Sequence, residues 1–192
     1  MPLRCSWADN HPLLSDYHDR EWGFPRHDDR AHFEFLILEA AQAGLSWLTV
    51  LKKREGYKKH FAGFDFNKVA SFGEADVKRM MKDPGIIRNE LKIRSAISNA
   101  KPFLAIRKEF GTFDRYLWNF VDGKPVVNWI RTGKDLVPSS TLSEAVSKDL
   151  KKRGFRFVGS TVIYSHLQAV GIVNDHEVKC HRKKACLSAE KK

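Results

Sequence analysis

Sulfur and imidazole stand at both ends of this chain in a pattern that binds metals. In "NDHEVKC", His176 and Cys180 are four residues apart, which places both on one face if the segment is helical. Near the start, Cys5 and His18 flank a loop rich in Trp and Tyr. Two cysteines and two histidines complete a tetrahedral zinc set, and such a closed, structural site would tie the N-terminus to the C-terminal segment. The alternative is a buried thiol, a loop histidine and a chance His-x3-Cys pair in a chain with 8 histidines. Cys186, in the basic tail "HRKKACLSAEKK", is left out of the ligand set.

A lone carboxylate is the next feature. At 100° per residue, Glu39 in "HFEFLILEAAQAGLSW" projects between Phe35 and Leu36, in the middle of an apolar face. An ionised carboxylate there costs several kcal/mol unless something compensates it. On these residues alone, a buried ion pair with a lysine or arginine accounts for it, and core packing accounts for Trp47 close by.

The segment "KKRGFRFVGSTVIYSHLQAVG" has a third kind of chemistry. A turn from Gly154 to Gly159 joins two helical patterns, and Ser160-Thr161 open the second. A glycine turn and an open helix N-terminus present backbone N–H groups to phosphate. Lys152, Arg153 and Arg156 add positive charge, enough to hold a DNA backbone without reading sequence. An ordinary helical hairpin with solvated lysines fits these residues equally well.

The elements that must position these groups are mostly helical. A polar, aromatic segment runs from Trp7 to Phe24. Helices are expected over about 31–43, ended by Gly44, and over about 47–59, capped by Ser46. "GEADVKRMMKD" reads as a short helix before Pro84-Gly85. A long helix through "IIRNELKIRSAISNAKPFLAIRKEF" should be interrupted near Pro102. "FDRYLWNFV" follows, then an irregular stretch in which "VVNWI" suits a short strand. "SSTLSEAVSKDLKKRG" begins like a capping box, and Gly171 closes the last clear helix.

Composition bounds the class. The 192 residues fit a single domain, and 42% hydrophobic content with 13 Phe and 5 Trp supports a core. A membrane span of about 20 apolar residues and an export signal are both missing, so a cytoplasmic protein with reduced cysteines and no membrane partner is expected. The net charge of +11 points to a polyanion, nucleic acid first, though part of it lies in the tail.

Five segments then occur in order: "RCSWADNHPLLSDYHDREWGFP", "FLILEAAQAGLSWLTVLKKRE", "DPGIIRNELKIRSAISNA", "VSKDLKKRGFRFVG" and "AVGIVNDHEVKC". Together they resemble the bacterial 3-methyladenine DNA glycosylase I (Tag) family, over nearly the whole chain to Cys180. The resemblance implies a mainly α fold of the helix-hairpin-helix DNA glycosylase type, with a zinc site joining the N- and C-terminal segments. It also implies that one structural zinc is held by Cys5, His18, His176 and Cys180. By the same resemblance, Glu39 is the catalytic and base-binding carboxylate. Trp47 would stack on the extruded base, and Trp7, Tyr17 and Trp22 would line the pocket. Contacts to DNA fall to Arg153, Arg156, Gly159 and Ser160, with Leu45 as an apolar wedge.

The expected partner is double-stranded DNA containing alkylated purines, and the expected product is free 3-methyladenine, released by a monomer. Asn174 stands where related enzymes carry a catalytic aspartate, and no lysine nucleophile follows the hairpin, so the reaction should be monofunctional. Asp175 is placed in support of the metal ligands. Leu14 replaces a tyrosine that family members often carry, three residues before Tyr17. The domain is expected over 1–182, with 183–192 a flexible basic tail. The rival reading is a zinc-stabilised, nonspecific DNA-binding protein without turnover.

Overall fold

The computed structural model describes residues 3–189. The Trp7–Phe24 segment folds largely as α1 (Pro12–Arg20), with Pro12 at the first helical position and the His11 side chain accepting from Leu13 N–H. α2 (Asp29–Gln42) follows, capped by Asp28, and is buried along most of its length. Its apolar residues surround the helix rather than forming one stripe, as in a central core helix.

Gly44, at φ +79°, turns the chain, and Ser46 caps α3 (Trp47–Leu51) by accepting from Thr49 N–H at 3.2 Å. The helix expected over 47–59 is broken at Lys52-Lys53, and α4 (Arg54–His60) starts in a new direction. Tertiary contacts override local propensity here. Arg54 donates to Glu34 at 2.7 Å and to both oxygens of Glu21 at 2.6 and 2.8 Å. These ion pairs tie α4 to α2 and to the end of α1.

The short helices α5 (Phe66–Val69) and α6 (Glu74–Lys82) lead to α7 (Glu90–Phe110), which runs unbroken through Pro102. The expected interruption is absent because the proline removes a single N–H. Ile93, Ala96, Ala100, Phe103 and Ile106 on either side stay buried on one face, and their burial outweighs one lost hydrogen bond. α8 (Phe113–Trp118) packs on α7.

The expected strand shrinks to β1 (Val126–Val127). It pairs in parallel with β2 (Val173–Asn174), and an isolated bridge joins Ile130 to Glu177. α9 (Thr141–Lys152) has its capping box, but the reciprocal partner of Ser140 is Ser143 rather than Glu144. α9 and α10 (Ser160–Ala169) form the helical hairpin, and α10 packs on α2. Gly171, at φ +76°, has to be glycine: a Cβ would lie 2.3 Å from the backbone between Phe24 and Pro25.

The C-terminus departs from expectation. Arg182–Ala189 form α11. Lys183 is buried and donates to the carbonyls of Asn128 at 2.6 Å and His176 at 2.9 Å, so the folded unit extends past 182. Residues 190–192 of the expected tail lie outside the described residues. No helix among the described residues is long and apolar enough to cross a membrane.

Candidate active site and metal centre

The sulfur and imidazole residues from the two ends converge. The ligand atoms of Cys5, His18, His176 and Cys180 all lie within 4.8 Å of one another, and all four residues are buried. Cys180 Sγ is 3.4 Å from His18 Nε2 and 3.5 Å from His176 Nδ1, and Cys5 Sγ is 3.5 Å from His176 Nδ1. Zinc bonded to sulfur at about 2.3 Å and to nitrogen at about 2.0–2.1 Å has S···N edges of about 3.5 Å when tetrahedral.

The outer nitrogens are held as such a site requires. His18 Nδ1 faces Asp19 at 2.8 Å, and His176 Nε2 faces the Trp22 carbonyl at 3.1 Å. Backbone N–H groups of Glu177 and Arg182 donate to Cys5 Sγ and Cys180 Sγ at 3.3 and 3.4 Å, which favours thiolate. The Cys180 thiol is held far below its ordinary range, first by its contact with Cys5 and then by the two histidines. These four residues therefore fit a metal. Cys186 is buried but does not belong to the cluster.

A cavity of about 170 Å³ opens next to this cluster. Trp7, Tyr17, Trp22, Glu39, Gln42, Trp47, Leu136, Ser165 and Gln168 line it. All the aromatic residues named from the sequence are present, and they touch one another. Trp7 and Trp22 meet edge to face at 5.0 Å between centroids, and Tyr17 and Trp47 are 5.2 Å apart. Trp22 also meets His176 at 4.6 Å, so the aromatic wall is continuous with the metal cluster. Leu14 is not among the lining residues; the aliphatic wall is Leu136, from the irregular stretch after β1.

Glu39 projects from α2 into this cavity and is 4% exposed. It makes no hydrogen bond or ion pair among the described residues, so the buried pairing with a lysine or arginine does not exist there. Burial alone pushes its pKa up to about 8. The buried lysine nearby is Lys92, whose ammonium caps the end of α2 by donating to the Ala41 and Ala43 carbonyls at 2.9 and 2.5 Å. That contact fixes the turn carrying Leu45, which is 40% exposed.

Asp175 is buried away from the cavity lining. Its carboxylate accepts from Tyr164, Gln168 and Asn128, each at 2.7 Å. Asn174 accepts from His176 N–H and donates to the Lys183 carbonyl, both at 3.2 Å, so it shapes the loop of the metal cluster.

The hairpin separates its two arginines. Arg156 is exposed, and Asn99 clamps its backbone, accepting from its N–H at 2.8 Å and donating to its carbonyl at 2.9 Å. Gly159 and Ser160 open α10, which has no side-chain cap. Arg153, also expected at the DNA, is engaged within the fold. It donates to Asp149 and Glu109, both at 2.6 Å, and lies over the rings of Phe110 and Tyr116. Opposite charge on two sides and aromatic faces beneath hold the guanidinium against its own fold. Lys92, Leu136, Ser165 and Gln168 were not singled out from the sequence, because only the tertiary fold brings them to the cavity or its rim.

Comparison with known proteins agrees with this geometry. The model of the methyladenine glycosylase family matches residues 7–183. The DNA-3-methyladenine glycosylase 1 of Escherichia coli K12 is 48% identical over 177 residues, covering 92% of this chain and 95% of that protein. A crystal structure of 3-methyladenine DNA glycosylase I superimposes with a TM-score of 0.90 at 46% identity, over 93% of this chain and 98% of that one. The Staphylococcus aureus enzyme, solved to explain 3-methyladenine recognition, gives a TM-score of 0.90 at 36% identity, over 94% of this chain and 96% of that one. With a matching family model over most of its length and relatives this similar, the chain belongs to the methyladenine glycosylase family.

Proposed function

We propose that the protein is a monofunctional DNA-3-methyladenine glycosylase that hydrolyses the N-glycosidic bond of 3-methyladenine in alkylated double-stranded DNA. The observation that carries this reading is Glu39, a buried carboxyl with no partner in an aromatic-walled cavity. Methylation at N3 makes adenine cationic within DNA. Such a base is attracted by the faces of Trp47, Tyr17, Trp7 and Trp22 and completes the pairing of Glu39. An unmethylated adenine would leave the carboxyl uncompensated or protonated. A base inside the duplex does not reach this cavity, so it must be extruded, with Leu45 entering the gap.

The chemistry then needs little from the protein. The bond from the base nitrogen to C1′ breaks, its electron pair neutralises the base, and 3-methyladenine leaves without protonation. Water captures the sugar cation and loses a proton. No lysine lines the cavity among the described residues, which favours water over a protein amine. Glu39 acts by orienting and stabilising the cation in a dry, preorganised site.

The metal at Cys5, His18, His176 and Cys180 is zinc in this reading, because two thiolates and two imidazoles in a closed tetrahedron suit it. Zinc here supplies cross-linking of the termini and no reacting group.

Incubation with methylated duplex DNA and identification of the released base tests the activity. Free 3-methyladenine should appear with turnover. Binding of the DNA without base release would favour a nonspecific DNA-binding protein instead.

The hairpin should contact the DNA backbone through the first turn of α10 and Arg156. Arg156→Ala should weaken duplex binding roughly three- to tenfold and lower the salt slope by about one, with affinity for free 3-methyladenine unchanged. Arg153→Ala should instead lower the melting temperature, since its ion pairs lie within the fold. Duplex titrations at several salt concentrations, alongside thermal melts, separate these two effects. Equal losses of DNA affinity from both substitutions would contradict the assignment.

A further inference from the structure

Gln42 and Gln168 line the cavity beside Glu39, and each carries an amide with one donating and one accepting end. In both, one of the two N–H groups of the amide is already engaged. Gln42 Nε2 donates to the Leu45 carbonyl at 3.1 Å. Gln168 Nε2 donates to Asp175 Oδ2 at 2.7 Å, and Asp175 is not a lining residue. Asp175 also receives the Tyr164 hydroxyl and Asn128 Nδ2, each at 2.7 Å, so three donors hold it in place. Asn128 is fixed in turn, because its backbone N–H donates to the Asn174 carbonyl at 3.2 Å and its own carbonyl accepts from Lys183. Turning the Gln168 amide over would set its carbonyl oxygen against the carboxylate of Asp175. With Nε2 anchored on Asp175, the amide is held in one orientation, and its acceptor Oε1 has no partner among the described residues.

We propose that Gln168 is a specificity-determining residue. Its carbonyl oxygen, held in one orientation by Asp175, accepts a hydrogen bond from the 6-amino group of the extruded base and so favours 3-methyladenine over 3-methylguanine. The inference rests on the base-pocket reading above. Both bases carry the same methyl group and the same positive charge in DNA, so the aromatic walls and the charge of Glu39 do not separate them. Guanine adds an N1 proton and a 2-amino group, and at C6 the two present opposite partners: an amino donor in one and a carbonyl acceptor in the other. Gln168 offers that edge an acceptor whose orientation Asp175 fixes. A donor pairs with it, while an acceptor is repelled and leaves buried polar groups unmatched, which discriminates strongly. Asp175 acts through Gln168 and is a positioning residue.

The test is the ratio of kcat/KM for release of 3-methyladenine to that for 3-methylguanine from methylated duplex DNA. Gln168→Leu keeps the bulk on α10 and removes the acceptor. It should lower this ratio by about ten- to a hundredfold, the worth of one hydrogen bond to a charged group, with the loss falling on 3-methyladenine. Asp175→Asn frees the Gln168 amide to turn its NH2 toward the cavity, and should raise 3-methylguanine release while lowering 3-methyladenine release. If Gln168 and Asp175 only brace α10, both substitutions lower the two activities in parallel, and an unchanged ratio overturns the proposal. Should Asp175→Asn fail to fold, Gln168→Leu decides alone. Trp47→Ala separates the two levels of inference. Severe loss of both activities in that variant, with an unchanged ratio in Gln168→Leu, refutes the role of Gln168 and leaves the pocket standing. Full activity in Trp47→Ala overturns the pocket and this proposal together.

Discussion

Glu39→Gln is expected to lower kcat/KM for 3-methyladenine release by about one to two orders of magnitude and, at the same time, to make the protein more stable. The activity loss is the worth of a hydrogen bond to a charged group, about 1.5–3 kcal/mol. The gain in stability follows from the raised pKa. Burial without a counter-charge pushes Glu39 up to about 8 from an ordinary value of 4.5. A carboxyl raised in the folded state is undisturbed below its unfolded pKa, and it costs stability progressively as pH rises toward its folded pKa. At neutral pH that cost is about 3 kcal/mol, taking about 1.4 kcal/mol for each pH unit above the unfolded value. Glutamine escapes it, although its amide donors find no ready partner, so a net gain of about 1–3 kcal/mol, or roughly 3–10 °C in Tm, is expected. The gain should shrink as pH falls and be gone before pH 4.5.

The same pKa sets the protonation state of the empty pocket. With no cation beside it, Glu39 is mostly protonated at pH 7, and the cationic base displaces that proton. kcat/KM should therefore rise close to tenfold per pH unit below about 8 and level off above it. Glu39→Gln should remove that slope. Melting curves and pH–rate profiles of both proteins check the prediction. A destabilised Glu39→Gln with unchanged pH dependence would mean that the carboxyl is a structural group.

Punctuation and types of residue were legible in the sequence, and directions were not. Gly44, Ser46, Gly154 and Gly171 mark real boundaries, because positive φ and N-capping are local properties of the chain. The Cys/His cluster was legible only in part: spacing offered His176 and Cys180 beside a chance pairing among 8 histidines, and the resemblance completed the set with Cys5 and His18. Pro102 was misleading: local sterics predict a break, but the buried face of α7 decides the outcome. The partners of Arg153, Glu109 and Asp149, come from two different helices, so its ion pairs were not legible in the sequence. Glu39 stood out as a carboxylate in an apolar run, yet the sequence does not distinguish a partnered from an unpartnered one. Gln168 and Leu136 carry no signal at all, because a glutamine in a helix and a leucine in a loop are ordinary until the fold sets them around one cavity. Lys183 was assigned to a solvated tail by its basic neighbours, and only its carbonyl partners from Asn128 and His176 show it inside the domain.

Loss of the metal should have a larger effect on stability than any single substitution in the pocket. One zinc should copurify with each chain, and Cys180→Ser should lower stability by on the order of 3–5 kcal/mol, the scale for leaving buried charge uncompensated. For a domain of this size that is about 10 °C in Tm. The cluster joins the segment around Cys5, α1 through His18, and the loop from His176 to Cys180 that leads into α11. The effect should also reach the base pocket. His176 Nε2 bonds the Trp22 carbonyl, and Trp22 meets both His176 and Trp7, so releasing the histidine loosens two walls of the cavity. A chelator should therefore lower the melting temperature and weaken binding of free 3-methyladenine together, and added zinc should restore both in the natural protein. In Cys180→Ser, zinc should restore neither fully. Cys186→Ser, outside the cluster, should keep its zinc content. Metal analysis, thermal melts with and without chelator, and base titrations on these proteins give the answer. Folded protein that contains no zinc and melts unchanged in chelator would refute the metal site. Full zinc content with base affinity insensitive to chelation would confine the metal to holding the termini, with no reach into the pocket.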